Sequence, residues 1–214
     1  LDVRTGHRVV AIDRAARTVA VETADGSYEL GYDALLLAPG AVAVRPPVDG
    51  LDHPAVHTLR TIPDLDALAA RLDALPADRP RRAVVVGAGF IGLEAVEALV
   101  ARGLEVAVVE LADQVLPPLE PELAALVADE LTAHGVALHL GAAVTRVASA
   151  ADAVPGAVPD GGSPDGVVVT LADGTAIPAD VVVLSVGVRP ATELARAAGL
   201  ELGPTGAIRV DADQ

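Results

Sequence analysis

The stretch Ala83-Val84-Val85-Val86-Gly87-Ala88-Gly89-Phe90-Ile91-Gly92-Leu93-Glu94 constrains this chain most, because it sets a G-x-G-x-x-G between an apolar β-branched run and a helical pattern. Glycines at that spacing answer three separate geometric demands. Gly87 allows a tight turn out of the strand, Gly89 lets the backbone come close to a pyrophosphate, and Gly92 lets the helix lie close on the strand. The helix start then offers N–H groups without helical partners and the positive end of the helix dipole, which together suit phosphate. In this context the motif predicts a strand, turn and helix that bind a dinucleotide.

The neighbouring sequence keeps the same pattern. Ile91, Ala95, Ala98 and Leu99 stand at helical spacing over 91–102, and Gly103 falls where a left-handed C-cap belongs. A strand over 106–109 then leads to Glu110, eighteen residues past Gly92, close to where an acid accepts hydrogen bonds from the adenosine ribose. A carboxylate there repels the extra phosphate of NADP, and no Arg or Lys follows within several residues. NAD(H) is therefore the expected cofactor.

Composition narrows the remaining classes. A chain of 214 residues that is 52% hydrophobic can bury a substantial core. The net charge of −15 argues against a nucleic-acid or anionic-membrane surface, so small-molecule dinucleotides are the expected partners. No apolar run approaches ~18 residues and no leader pattern is visible, which makes a cytoplasmic location the expectation, with no membrane span. With no Cys, the chain carries no disulfide, thiolate metal site or cysteine redox chemistry. The five His residues show no metal-ligand spacing, so no metal site is expected. The chain begins at Leu1 and contains no Met, and is expected to be part of something longer.

Along the chain, residues 7–12, 18–22 and 28–30 read as strands with turns at Asp13-Arg14 and Asp25-Gly26. Leu35-Leu36-Leu37 reads as a short buried strand stopped by Ala38-Pro39-Gly40. A helix is expected over 63–75, and a second over 121–134 that buries Leu123, Leu126, Val127 and Leu131 and ends at Gly135. Strands follow over 137–140, 145–148, 167–171 and 181–185, with a flexible hairpin connection over 149–166. Strands 84–86 and 181–184 suit the middle of a parallel sheet covered on both faces. The predicted class is α/β, a three-layer nucleotide-binding (Rossmann-like) domain with a β meander.

Three separated segments, Tyr32 through Gly40, Ala83 through Glu94 and Gly187-Val188-Arg189-Pro190, resemble in order three motifs of the FAD-dependent pyridine nucleotide-disulfide oxidoreductases. His57-Thr58-Leu59-Arg60-Thr61 and the segment Asp113 through Glu122 are most similar to the branch of coenzyme A disulfide reductases and NADH oxidases or peroxidases. The resemblance implies a homodimeric parent enzyme that uses FAD and NAD(H). It passes a hydride from NADH to FAD and electrons on to a disulfide, peroxide or oxygen. Residues 1–60 and 186–214 would be parts of an incomplete FAD-binding domain, and 61–185 the NAD(H)-binding domain. The redox cysteine is expected upstream, leaving no catalytic residue in this chain.

By the same resemblance, Gly87, Gly89, Phe90, Ile91 and Gly92 hold the pyrophosphate, Glu110 the ribose, and Gly187 lies near the nicotinamide. Glu94, read as a first-turn acid of the glycine helix, faces nicotinamide and flavin, or simply complements the helix dipole. Phe90 covers the flavin, or is ordinary core. Ala38 and Gly40 flank the flavin side, where Pro39 replaces the family's usual threonine and removes a hydroxyl and an N–H. Two other readings remain beside this one: a ferredoxin or rubredoxin reductase, and a non-catalytic NAD(H)-sensing module.

Overall fold

A computed structural model of the chain describes residues 1–152 and 166–212. The expected hairpin connection lies largely outside the described residues. The chain opens with strands β1 (Arg8–Asp13), β2 (Thr18–Thr23) and β3 (Gly26–Gly31), then β4 (Ala41–Ala43), β5 (Val56–Thr58) and helix α1 (Ile62–Asp73). Strand β6 (Arg82–Val86), helix α2 (Phe90–Ala101), strand β7 (Glu105–Val109), helix α3 (Pro121–Ala133) and strand β8 (Ala137–His139) come next. Strands β9 (Val144–Ser149), β10 (Val167–Leu171), β11 (Ala176–Ala179), β12 (Val181–Leu184) and β13 (Val188–Pro190) precede helix α4 (Glu193–Ala197).

These elements form two compact units, one of residues 1–42 and 188–214, the other of residues 43–187. In the first, β1, β2 and β3 make an antiparallel meander, its first turn closed by Asp13, whose Oδ1 accepts from the Ala15 and Ala16 N–H groups at 2.9 and 2.8 Å. Residues 35–37 form no strand. Leu35 and Leu36 are exposed, Leu36 at 89%, because no neighbouring strand among the described residues supplies the ladder partners that an extended apolar run needs.

The second unit is built on a five-stranded parallel sheet in the order β5-β12-β6-β7-β8. Alternation along its strands assigns each residue a face. Ala83, Val85, Val108, Val181 and Val183 pack under helices α1, α2 and α3, with Leu68, Leu72, Val96 and Leu99. Val84, Val86, Val109, Val182 and Leu184 point the other way, onto the antiparallel sheet β11-β10-β9, where they meet Val147, Val167, Val169 and Leu171. The layers are thus helices, parallel sheet and β meander, and the central strands read as continuous valine because both faces are covered. Burying each such valine contributes roughly 1.5–3 kcal/mol over leaving it in water.

Helix α3 corrects the expected burial. Leu123 and Leu126 are 52% and 64% exposed, and the buried position is Ala124 at 1%. The helix is rotated so that its small residues, which permit close approach, face the core, with Val127, Ala128 and Leu131 at the margin.

The two ends of the parallel sheet are finished differently. At the N-terminal end, Asp180 is 2% exposed and its carboxylate accepts from Arg79 Nη2 and Nη1 at 2.8 and 3.1 Å and from the Arg82 N–H at 2.9 Å. Its carbonyl accepts from Arg71 at 3.1 Å. At the C-terminal end lies the glycine turn.

Candidate dinucleotide site

The turn from β6 into α2 requires glycine at two positions for reasons internal to the chain. Gly87 has φ +101°, and a Cβ there would lie 2.3 Å from the Ser185 carbonyl oxygen. At Gly92 a Cβ would lie 2.0 Å from the Gly87 oxygen and 3.5 Å from Val85, so the helix rests directly on the strand and its turn. Gly89 differs. It is the N-cap of α2 in extended backbone, and a Cβ there would meet nothing within 4 Å. No side chain caps this helix. The first N–H groups of α2, on Phe90, Ile91 and Gly92, therefore meet no capping side chain, and a Cβ at Gly89 would stand in free space.

Gly87, Glu110 and Gly187 follow the C-terminal ends of β6, β7 and β12 respectively. The chain leaves β6 toward β7 and β8, while β12 lies on the other side of β6, so the turn sits where the strand order reverses. Ligands of open α/β sheets bind at such a crevice. Glu110 is half-buried, and both its carboxylate oxygens are engaged: Oε2 accepts from the Ala88 N–H at 2.6 Å and Oε1 from the Ala112 N–H at 2.8 Å. The Gly87 N–H donates to the Val109 carbonyl at 2.8 Å, and the Ala88 carbonyl accepts from the Leu116 N–H at 2.9 Å.

Phe90 and Ile91, at the head of α2, are 65% and 51% exposed, so the reading of Phe90 as core is set aside. Glu94 is exposed and is the fifth residue of α2, not a first-turn acid, because the helix begins at Phe90. Its support from the helix dipole, which fades beyond the first turn, is correspondingly small. It borders an apolar cavity of about 220 Å³ between α1 and α2, lined by Leu65, Leu68, Leu72, Ile91 and Ala95. Gly187 has φ +101° and its carbonyl accepts from the Val44 N–H at 3.0 Å.

Gly87, Gly89, Phe90, Ile91, Gly92, Glu110 and Gly187 thus belong to one compact unit, and Ala38 and Gly40 to the other. Ala38 is exposed, and Gly40, at φ +72°, accepts from the Ala191 N–H at 3.0 Å. Sequence reasoning missed Leu116, which takes φ +45° and ties the loop after β7 to the glycine turn. Nothing marks it, since a residue before Pro117 favours extended backbone. Among the described residues there is no group of three potential metal ligands, and no helix is long and apolar enough to cross a membrane.

A parallel sheet with helices on one face, a meander on the other and a glycine turn at its switch point defines the Rossmann-like class of FAD/NAD oxidoreductase folds. Within that class the chain belongs to the pyridine nucleotide-disulphide oxidoreductase family, whose model matches residues 1–214.

Relatives come from more than one branch of it. An NADH oxidase of Methanocaldococcus jannaschii is 34% identical over 95% of this chain and 42% of its own length. The ferredoxin--NAD(+) reductase component of a biphenyl dioxygenase system of Paraburkholderia xenovorans is 35% identical over 94% of this chain and 44% of its own. The chain therefore spans less than half of these relatives.

Among solved structures, the reduced CoADR-RHD of Bacillus anthracis superposes with a TM-score of 0.82 at 36% identity, over 96% of this chain and 34% of that one. A water-forming NADH oxidase of Lactobacillus brevis, bound to NADH, gives 0.82 at 26% identity, over 96% and 42%. A mutant of that oxidase, engineered as an NADPH oxidase and bound to NADPH, gives 0.82 at 25% over the same shares. It replaces a glycine, an aspartate eighteen residues on, and the alanine, methionine and proline one, two and seven residues past that aspartate. The new residues are Ala, Ala, Arg, Ser and Arg.

Proposed function

We propose that the unit 43–187, which contains the NAD(H) domain expected over 61–185, binds NADH at the head of α2. The observation that carries this reading is an uncapped helix start behind a glycine turn, with a carboxylate at the end of the next strand. The open N–H groups of Phe90, Ile91 and Gly92 face the pyrophosphate, and the remaining lone pairs of Glu110 accept from the adenosine ribose. Gly187 flanks the nicotinamide end.

The engineered oxidase supports the preference for NADH. Counting its substitution spacing from Gly92 reaches Glu110, Leu111, Ala112 and Pro117, with glycine and proline matched by identity and the aspartate by another acid. In this chain that set holds a carboxylate and no cation, which favours a free ribose hydroxyl over a phosphate. The double variant Glu110→Ala with Leu111→Arg is expected to shift the ratio of NADH to NADPH dissociation constants at least about tenfold toward NADPH. An unchanged ratio would refute the assignment.

When bound, NADH supplies a hydride, and this chain's part is to bind and orient it. The parent is proposed to be a flavoprotein oxidoreductase delivering those electrons through FAD to a disulfide, peroxide or oxygen. The other compact unit, residues 1–42 and 188–214, including Ala38 and Gly40, is proposed as a portion of its FAD-binding domain, so that 43–60 and 186–187 of the expected 1–60 and 186–214 go with the NADH unit. The unpaired apolar run at 35–37 supports this, since it has the composition of a strand whose neighbours lie elsewhere. Electron delivery to a ferredoxin is the second reading, supported by a ferredoxin--NAD(+) reductase relative of similar identity.

A further inference from the structure

We propose that Glu110 has a second task besides ribose recognition: with Leu116, it buckles the glycine turn into its binding shape before any ligand arrives. The inference rests on reading that turn as the phosphate site. Ala88, the residue between the first two glycines, is fully buried at 0% exposure, yet neither of its polar groups is used within β6 or α2. Its N–H donates to Glu110 at 2.6 Å and its carbonyl accepts from Leu116 at 2.9 Å. One residue earlier, the Gly87 N–H is held by Val109 at 2.8 Å. Two consecutive residues of the turn are thus fastened to β7 and the loop that follows it. Leu116 reaches its position only through a left-handed backbone, φ +45°, which L residues rarely adopt.

A carboxylate has about four acceptor sites, and Ala88 and Ala112 use one on each oxygen, so one on each remains for a ribose diol. Both tasks are therefore compatible at once. The buckle also divides the labour among the backbone donors. The Ala88 N–H is taken, and phosphate recognition falls to the donors of the first turn of α2.

The two tasks separate in two variants of the chain. Glu110→Gln removes the charge but keeps an oxygen that can accept from Ala88, whereas Glu110→Ala removes both. Amide hydrogen exchange without ligand is expected to run on the order of ten to a hundredfold faster at Ala88 in Glu110→Ala, with little change at Val85 or Val108, and to be intermediate in Glu110→Gln. NADPH, freed from repulsion in both variants, is expected to bind several-fold tighter to Glu110→Gln than to Glu110→Ala.

Equal NADPH affinity in the two variants together with unchanged exchange at Ala88 would overturn the buckle and leave Glu110 a ribose acceptor only. Faster exchange at Ala88 in a chain that binds neither NADH nor NADPH would uphold the buckle and overturn the ligand reading. Should Glu110→Ala not fold, exchange in the unliganded parent chain decides, with an Ala88 amide no better protected than those of Phe90 and Ile91 counting against the buckle.

Discussion

Helices α1 and α2 are both twelve residues long and lie on the same face of the parallel sheet, but their first turns are finished in opposite ways. The start of α1 is closed by its own side chains. Thr61 accepts from the Asp64 N–H, and Asp64 Oδ2 accepts from the Thr61 and Arg60 N–H groups at 2.8 and 3.0 Å, a complete capping box. The start of α2 has glycine at the cap and no side-chain partner, and the backbone just before it is pinned from behind by Glu110 and Leu116. The first turn of α1 is thus satisfied by its own side chains, whereas that of α2 meets no capping side chain and is fixed from behind by β7 and the loop after it.

The largest effect on this contrast is expected from Gly87→Ala, which forces a Cβ against the Ser185 carbonyl at a positive φ. Urea unfolding should show a loss of about 3 kcal/mol and NADH binding should disappear. Gly89→Asp reverses the design instead of breaking it, because the backbone there accepts a side chain and the space is open. It is expected to gain about 0.5 kcal/mol in stability while weakening NADH on the order of a hundredfold, as the new carboxylate occupies the phosphate's place. Both signs are needed, and a stabilised variant that keeps its affinity would remove the functional meaning of the open cap. Thr61→Ala should cost about 1 kcal/mol and leave NADH affinity where it was.

The smallest effects are pH dependences on the α1 side. Burial pushes the Asp64 carboxyl up, but hydrogen bonds from Thr61 and Arg60 outweigh it and hold its pKa below the ordinary 3.8. Its contribution is present above pH 3.8 and is lost as pH falls below it, a loss Asp64→Asn should abolish. His57 on β5 is pushed below the usual 6.5, first by burial and then by Arg71 and Arg45, with Asp64 opposing. Its Nε2 is buried without a hydrogen bond. The unfolded chain takes up this proton more readily, so stability declines as pH falls below 6.5, and His57→Phe should flatten that slope in an acid titration of unfolding.

Local patterns in the sequence carried the β6-α2-β7 unit, since periodicity, glycine spacing and the C-cap glycines Gly103 and Gly135, at φ +77° and +78°, are all short-range signals. Long-range pairing was not legible. Strand β5 is three residues that become a strand only beside β12, and Leu35-Leu36-Leu37 has strand composition without a partner. The apolar residues of α3 allow more than one buried stripe, and the close approach at Ala124 selected a phase that the larger leucines did not indicate. In the candidate site, residue types and spacing were legible, but the clamp on Ala88 was not. It depends on a carboxylate turning back onto a turn twenty-two residues earlier and on a leucine in left-handed backbone.

The start of α2 is proposed to be a preformed NADH site. The chain has no Trp and two Tyr, so cofactor fluorescence can be followed with little protein background. Titration with NADH and then NADPH is the direct measurement. Saturable binding with NADH the tighter of the two is the predicted result, and binding of neither, or of NADPH more tightly, would contradict it.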